Sequence, residues 1–225
     1  MIIELRSPAE RLGEAQRSSQ AIPDRRRVRP LPDKIESRGA CRAMSAGVIS
    51  VCSDAELPEV VALVNAAYRG TDGPPGWTSE VGLVGGERVT LDALRSEIAA
   101  TPSLRIYLLR EPPKLLACVR VEDGQGVHHE PVCYISMLAV HPEVQDGGLG
   151  RRMLEFAEAE GRQRGARAAR MSVVSIRTSL IAWYERRGYR RTGETEPFPY
   201  DDARFGEPQQ RGLEFILLQK ELAPA

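Results

Sequence analysis

From residue 47 onward, apolar and polar positions follow two distinct rhythms. Leu57, Val60, Val61, Leu63, Val64 and Ala67 recur at helical spacing. That predicts a helix over about 55–69 behind a short strand, "GVISVC", with Asp54 as its N-cap. Thr90 caps a second predicted helix, "LDALRSEIAA", which ends near "TPS". "LRIYLLR" and "KLLACVRVE" read as strands joined through Pro112 and Pro113 into a hairpin. "VCYISMLAV" is apolar at nearly every position, the pattern of a strand central in a sheet. A helix over about 148–164 then carries Leu149, Met153, Phe156 and Ala157 on one face and stops at Gly165. The strand "ARMSVVS", a short helix "SLIAWYERRG", the strand "YRRTGE" and a closing strand "GLEFILLQK" complete the chain. This order predicts an α/β (α+β) fold: a mixed central sheet of about six to seven strands with helices on both faces.

Two long stretches break the rhythm. "GTDGPPGWTSEVGLVGGE" is dense in Gly and Pro and longer than a compact fold tolerates without a reason, and "TEPFPYDDARFGEPQQR" is polar and Pro-rich. Residues 1–43 differ more deeply. They hold 10 Lys/Arg against 6 Asp/Glu, and "DRRRVRPLPDK" has no periodicity and little to bury. We expect a disordered tail, or a start placed too early with Met44 as the true one, leaving a single domain over 47–225. The opening "MII" is too short for the apolar region of a secretory signal.

Charge removes whole classes of function. Lys plus Arg equals Asp plus Glu at 31 each, so no global field favours nucleic acid or an anionic membrane. The apolar runs are too short to span a bilayer as helices. Four cysteines (Cys41, Cys52, Cys118, Cys133) form no C-x-x-C pair and have no His at metal-ligand spacing. The expectation is a cytoplasmic protein, monomer or homodimer, with reduced, buried cysteines and no metal.

The chemistry concentrates in "HPEVQDGGLGRRMLEF", residues 141–156. Gly147, Gly148 and Gly150 free a run of backbone amides of side-chain bulk where a strand passes into a helix. Unpaired N–H groups and the positive end of the helix dipole make such a place an anion site. A nucleotidase phosphate loop would need Lys after its last Gly, but Arg151 and Arg152 stand there. A dinucleotide fingerprint would need a third Gly where Met153 stands. What remains is Gln145-x-x-Gly148-x-Gly150, directly after an apolar strand and directly opening an amphipathic helix.

The stretch "MLAVHPEVQDGGLGRRMLEFAEAEGRQRG" resembles the acyl-CoA-binding signature of the GNAT superfamily of N-acetyltransferases. Downstream, "AWYERRGYRRTGE" is similar to the family's later helix and its Tyr-x-x-x-Gly-(Phe/Tyr) segment, at the family's separation. The resemblance covers about 175 residues and implies the GNAT fold. It also implies acetyl-CoA as acyl donor, no metal, and direct transfer to a primary amine of a small molecule or peptide. Matched residue by residue, it puts Gln145, Asp146, Gly147, Gly148, Leu149, Gly150 and Arg151 around the pyrophosphate. Gly148 and Gly150 would take positive φ there and admit the phosphates. Leu138, Ala139 and Val140 fall on a strand that splays from its neighbour and pairs with the pantetheine arm. Tyr184 matches the position whose hydroxyl sits near the CoA sulfur, where it would protonate the departing thiolate. The sequence departs from the family pattern at Arg177, where many members carry an Asn that contacts pantetheine.

The base that deprotonates the amine is open on sequence grounds. Glu80, in the "GWTSE" stretch with Trp77, falls where the family's acceptor-site loop lies and is the favoured candidate. His128, His129, Glu130, Asp201, Asp202 or a water chain are the alternatives. Acidic residues in the early loop and in "PYDDARFGE" would suit a cationic acceptor. A non-catalytic acyl-CoA sensor with the same binding turn is the competing function; a nucleotide-binding regulator is disfavoured by the missing Lys and Gly.

Overall fold

The computed structural model describes residues 47–70, 79–126, 129–202 and 205–223. The expected N-terminal tail and Cys41 lie outside the described residues. The elements are β1 (Val48–Val51), α1 (Leu57–Arg69), β2 (Val84–Gly85), α2 (Leu91–Ala100), β3 (Arg105–Glu111) and β4 (Lys114–Gln125). They continue with β5 (Pro131–Val140), α3 (Leu149–Gln163), β6 (Ala168–Val174), α4 (Thr178–Glu185), β7 (Arg190–Pro197), β8 (Glu207–Pro208) and β9 (Glu214–Glu221). Seven strands form one sheet in the order β1-β3-β4-β5-β6-β9-β7, and β5 and β6 alone run parallel. The mixed sheet and its helices on both faces agree with the sequence expectation. No described helix is long and apolar enough to cross a membrane.

Each face of the sheet carries its own core. Leu57, Val60, Leu63, Val64 and Ala67 of α1 pack with Leu94 of α2 against Ile106, Leu108, Cys118 and Ala139. On the opposite face Leu149, Met153, Leu154 and Ala157 of α3 pack with Leu180 and Ile181 of α4 against Leu109, Val119, Val121, Ile135 and Met171. Cys118 and Cys133 are fully buried, and burial pushes both thiols up to about 12.

The N-cap of the first helical turn needs correcting. Ser53, not Asp54, occupies it: the Ser53 backbone N–H and hydroxyl both donate to the Glu56 carboxylate, at 2.9 and 2.7 Å. Serine with glutamate three residues on permits this local bond, which Asp54 could not form from its place one residue later. Asp54 instead makes a two-pronged pair with Arg95, at 3.0 Å for each contact.

Two features were not expected from sequence. Ala139 stands opposite Cys118 and Ser136 opposite Arg120, so Met137 and Leu138 together face Val119 in a β-bulge, with Met137 at φ 51°. One extra residue flips the side-chain alternation. Cys133 and Ile135 face α3 before the bulge, and Leu138 and Val140 face it after. The second feature joins the two rhythm-breaking stretches. β2 pairs antiparallel with β8, where Gly206, at φ 83°, approaches so closely that a Cβ would lie 2.5 Å from the Gly85 carbonyl oxygen. Val84, Phe198, Leu213 and Phe215 form a small core beneath this two-strand flap.

Candidate active site

The parallel partnership of β5 and β6 is short. It pairs Val132, Cys133 and Tyr134 with Ala168, Ala169 and Arg170, and the register goes no further. From Ile135 onward the two strands diverge, and a cavity opens between Ile135–Leu138 of β5 and Met171–Val174 of β6. A crevice at the carboxyl ends of parallel strands is where ligands of open α/β sheets bind. The bulge sits at its mouth. The Tyr68 hydroxyl, from the end of α1, donates to the Leu138 carbonyl at 3.2 Å and holds the bulged strand in place.

Beyond Val140 the chain turns into α3. His141 caps a 3-10 turn over Pro142–Gly147, which includes Asp146 and Gly147, and Gly148 follows in the left-handed region at φ 74°, ψ 6°. The first intrahelical bond of α3 runs from the Arg152 N–H to the Gly148 carbonyl, at 3.1 Å. The amides of Gly148, Leu149, Gly150 and Arg151 therefore precede the helical ladder, at the positive end of the dipole. A Cβ on Gly148 would meet nothing within 4 Å, so the turn is open at that position. The expectation of positive φ holds for Gly148 only; Gly150 lies buried inside the first turn of α3 with helical geometry. The side chains of Gln145, Leu149, Arg151 and Arg152 have partners within the chain. Gln145 Nε2 donates to the Val140 carbonyl at 3.3 Å, and Leu149 belongs to the core. Arg151 is exposed and pairs with Glu155 at 2.7 Å, while Arg152 Nη2 donates to the Gly47 carbonyl at 2.5 Å.

Tyr184 and Glu80 both line the cavity between the splayed strands. Tyr184 is 7% exposed and packs edge-on against Trp183 and Tyr189, at 5.0 and 5.7 Å between ring centroids. Burial pushes its phenol well above the ordinary value. Glu80 is fixed through its backbone, its N–H donating to the Tyr68 carbonyl at 2.8 Å. Its carboxylate accepts a hydrogen bond from Arg69 and lies 3.6 Å from Arg177 and 4.0 Å from Arg88. Burial alone would raise the Glu80 pKa, but Arg88, Arg69 and Arg177 outweigh it and hold the carboxyl below its usual range.

The other base candidates are not in the cavity lining. His129 and Glu130 sit at the start of β5, eight residues or roughly 26 Å of strand from Leu138. Asp201 and Asp202 lie on the loop after β7, beside Phe198 and Tyr200. Trp77 and His128 are outside the described residues. Among the described residues, no group of three His, Cys, Asp or Glu could hold a metal ion. Sequence reasoning missed Tyr68, Arg69 and Arg88 as site residues. Tyr68 alone gave a signal, extending the apolar stripe of α1 four residues past Val64.

Comparison with known proteins identifies the architecture. The profile of the Acetyltransferase (GNAT) family matches residues 77–189, just over half of the chain. The chain belongs to the GNAT family of acetyltransferases. An uncharacterized N-acetyltransferase in the pepI 3' region of Lactobacillus delbrueckii subsp. lactis is 26% identical over 145 residues, covering 63% of this chain and 83% of the relative. An IAA acetyltransferase of Azospirillum brasilense is 27% identical over 103 residues, covering 45% of this chain and 65% of that one. Among solved structures, yncA from Salmonella typhimurium with its cofactor acetyl-CoA superposes with a TM-score of 0.58 at 18% identity, over 80% of this chain and 96% of that chain. The ribosomal-protein-alanine N-acetyltransferase of Brucella melitensis gives 0.57 at 18% identity, over 78% and 99%. These GNAT structures share the fold described above.

Proposed function

We propose that this GNAT acetyltransferase transfers the acetyl group of acetyl-CoA to a primary amine of a small molecule or peptide. One observation carries the reading: the β5–β6 splay and the leading amides of α3 are joined by ten residues of chain, from Leu138 through Gly147 to Gly148. The open space before Gly148, with no Cβ to fill it, suits a pyrophosphate. The unpaired edge of β5 suits an arm that bonds like an added strand. Acetyl-CoA supplies the thioester. The amine nitrogen bonds to the carbonyl carbon as the C–S bond breaks, and a backbone N–H near the Leu138 bulge stabilises the oxyanion. The ammonium releases one proton to solvent before it attacks; Tyr184 gives the departing thiolate its proton, and the second proton of the nitrogen restores the Tyr184 hydroxyl as the amide forms. Glu80 is a weaker base than a free glutamate, because three guanidiniums stabilise its charged form. We assign it the task of holding those guanidiniums at the cavity.

The test is ligand-specific stabilisation together with turnover. At one hundred times its dissociation constant acetyl-CoA contributes about 2.7 kcal/mol to the native state, a rise of roughly 5–10 °C in melting temperature for a chain of this size. ATP and NAD at the same concentration should give much less, and thiol release should appear with a panel of amines. Stabilisation without thiol release from any amine would leave the sensor reading in place; equal stabilisation by ATP would remove both.

Gly148→Val separates the site from the fold. A β-branched residue at φ 74° costs about 1–3 kcal/mol in strain, and it adds bulk at the residue that leads into the α3 amides. CoA affinity, measured by calorimetry on the folded variant, should fall tenfold or more. Unchanged affinity would make the turn structural only.

A further inference from the structure

The cavity between the splayed strands passes through the sheet. Ile135, Leu138, Met171 and Val173 belong to the core under α3 and α4, and with Tyr184 they line the cavity on that face. Tyr134, Ser136 and Ser172 alternate with these residues along β5 and β6, so they line it on the α1 side. Tyr68 of α1 and Phe215 beneath the flap stand beside them. The α3 amides proposed for the pyrophosphate lie on the first face, which leaves the second to the acceptor.

On that second face two hydroxyls are unpaired. Ser136 Oγ and Tyr134 Oη are buried, and no group among the described residues hydrogen-bonds to either. Ser172, across the gap on β6, acts on the Tyr134 phenol but closes no hydrogen bond with it. The charges nearby are engaged with one another: Arg120, opposite Ser136 on β4, donates to Glu97 at 2.8 Å and to Glu122 at 2.5 Å. Each hydroxyl offers one donor and two acceptor positions. Burying such a group unbonded costs stability, and native structures nearly always satisfy it. Two of them on one face of one strand, both lining one cavity, suit a group that arrives from outside. That group is uncharged, because a charge desolvated against two neutral hydroxyls would be poorly compensated. It also lies close to the amine. Ser136 precedes Leu138, where the oxyanion forms, by at most about 7 Å of strand, which is room for the nitrogen and a short branch.

Resting on the acetyl-transfer reading above, we propose that the acceptor carries an uncharged hydrogen-bonding group, a carboxamide or a hydroxyl, on the carbon next to its amine-bearing carbon or on that carbon itself, and that Ser136 and Tyr134 bind it. A carboxamide donates and accepts at once, so it engages both hydroxyls. The two residues hold the acceptor in place and take no proton in the transfer.

The experiment gives the full chain acetyl-CoA and a series of acceptors on one skeleton: leucinamide, leucinol, leucine and 4-methylpentan-2-amine, which has a methyl where the others are polar. With rates referred to the unprotonated amine, leucinamide and leucinol should exceed 4-methylpentan-2-amine by about 10- to 100-fold in kcat/KM, the worth of hydrogen bonds to buried groups otherwise left unpaired. Ser136→Ala and Tyr134→Phe should each shrink that gap through KM rather than kcat, and Ser136→Thr, which keeps a hydroxyl, should hold most of it. Two measurements need no turnover. Tyr134→Phe should melt no lower than wild type, because it removes a buried group that the fold leaves unbonded. N-acetylleucinamide should raise the melting temperature of wild type, and raise that of either variant less. Equal use of all the acceptors, or best use of leucine or of the alkylamine, would overturn the proposal and leave acetyl transfer intact. So would a Tyr134→Phe variant that melts several degrees lower, since the hydroxyl would then be part of what holds the fold. Absence of thiol release from every amine would count against the transfer reading; the hydroxyl site would then stand or fall on the N-acetylleucinamide shift.

Discussion

Tyr184→Phe is expected to lower the maximal rate of acetyl transfer by about 10²- to 10⁴-fold, the usual worth of a positioned general acid. The ring would stay where it is. It is wedged edge-on between Trp183 and Tyr189, and the Tyr189 N–H donates to the Tyr184 carbonyl at 3.2 Å regardless of the side chain. Melting temperature and acetyl-CoA affinity should therefore change little, with binding moving by less than about 1 kcal/mol for the loss of one hydroxyl. Burial raises the Tyr184 pKa, so the group stays protonated across the neutral range and can act as a donor there. A purely structural tyrosine gives the opposite pattern: a small rate effect for Tyr184→Phe and a packing loss of about 3–5 kcal/mol for truncation to Ala. Stopped-flow thiol release with an accepted amine separates the two. A Phe variant within about threefold of wild type would remove Tyr184 from the chemistry, since that is below the contribution expected of such a group.

The parts of this protein that were legible in its sequence are those made from local pattern. α1 and α3 each present one apolar face with a clear stop, and β5 is apolar on both sides because helices cover both sides. The Gln145–Gly148–Gly150 turn was legible because its position between strand and helix has a physical reason. The bulge at Met137 and Leu138 was not. In a run as apolar as "YISMLAV", either face accepts either residue, so no polar position marks where the alternation flips. The β2–β8 flap was hidden for another reason. It pairs two residues with two across more than a hundred positions, and such pairing leaves no periodic trace. The Arg–Glu cluster draws residues 69, 80, 88 and 177 from separate segments; Arg69 and Arg88 each read as an ordinary solvated charge, and Glu80 stood out only as a candidate base. Arg177 stood out only as a departure from the family pattern. It stands at the N-cap of α4, 3.6 Å from the Glu80 carboxylate.

Glu80→Gln is expected to destabilise the fold by about 3 kcal/mol at neutral pH, at the low end of the cost of removing one partner from a buried ion pair. Gln keeps the shape and one acceptor for the Arg69 hydrogen bond, so the loss is one of charge. Arg69, Arg88 and Arg177 would remain buried around a neutral side chain. The pH dependence follows from the direction of the shift. The folded-state pKa of Glu80 is lowered, so its contribution is fully present above the unfolded value near 4.3 and is lost as pH falls through the lower, folded value. The difference in stability between wild type and variant should thus be constant from about pH 6 to 8 and shrink in the acid range below about 4.3, where the unfolded carboxyl gains its proton. Urea titrations at several pH values measure both the size and the shape. A variant as stable as wild type at pH 7 would mean that the three guanidiniums do not depend on Glu80 for compensation. In that case the cluster would be solvated enough to act as separate surface charges, each worth at most about 1 kcal/mol. If instead the loss is large, a small carboxylate such as acetate should recover part of it in the variant, because an added anion can stand where the Glu80 charge was removed.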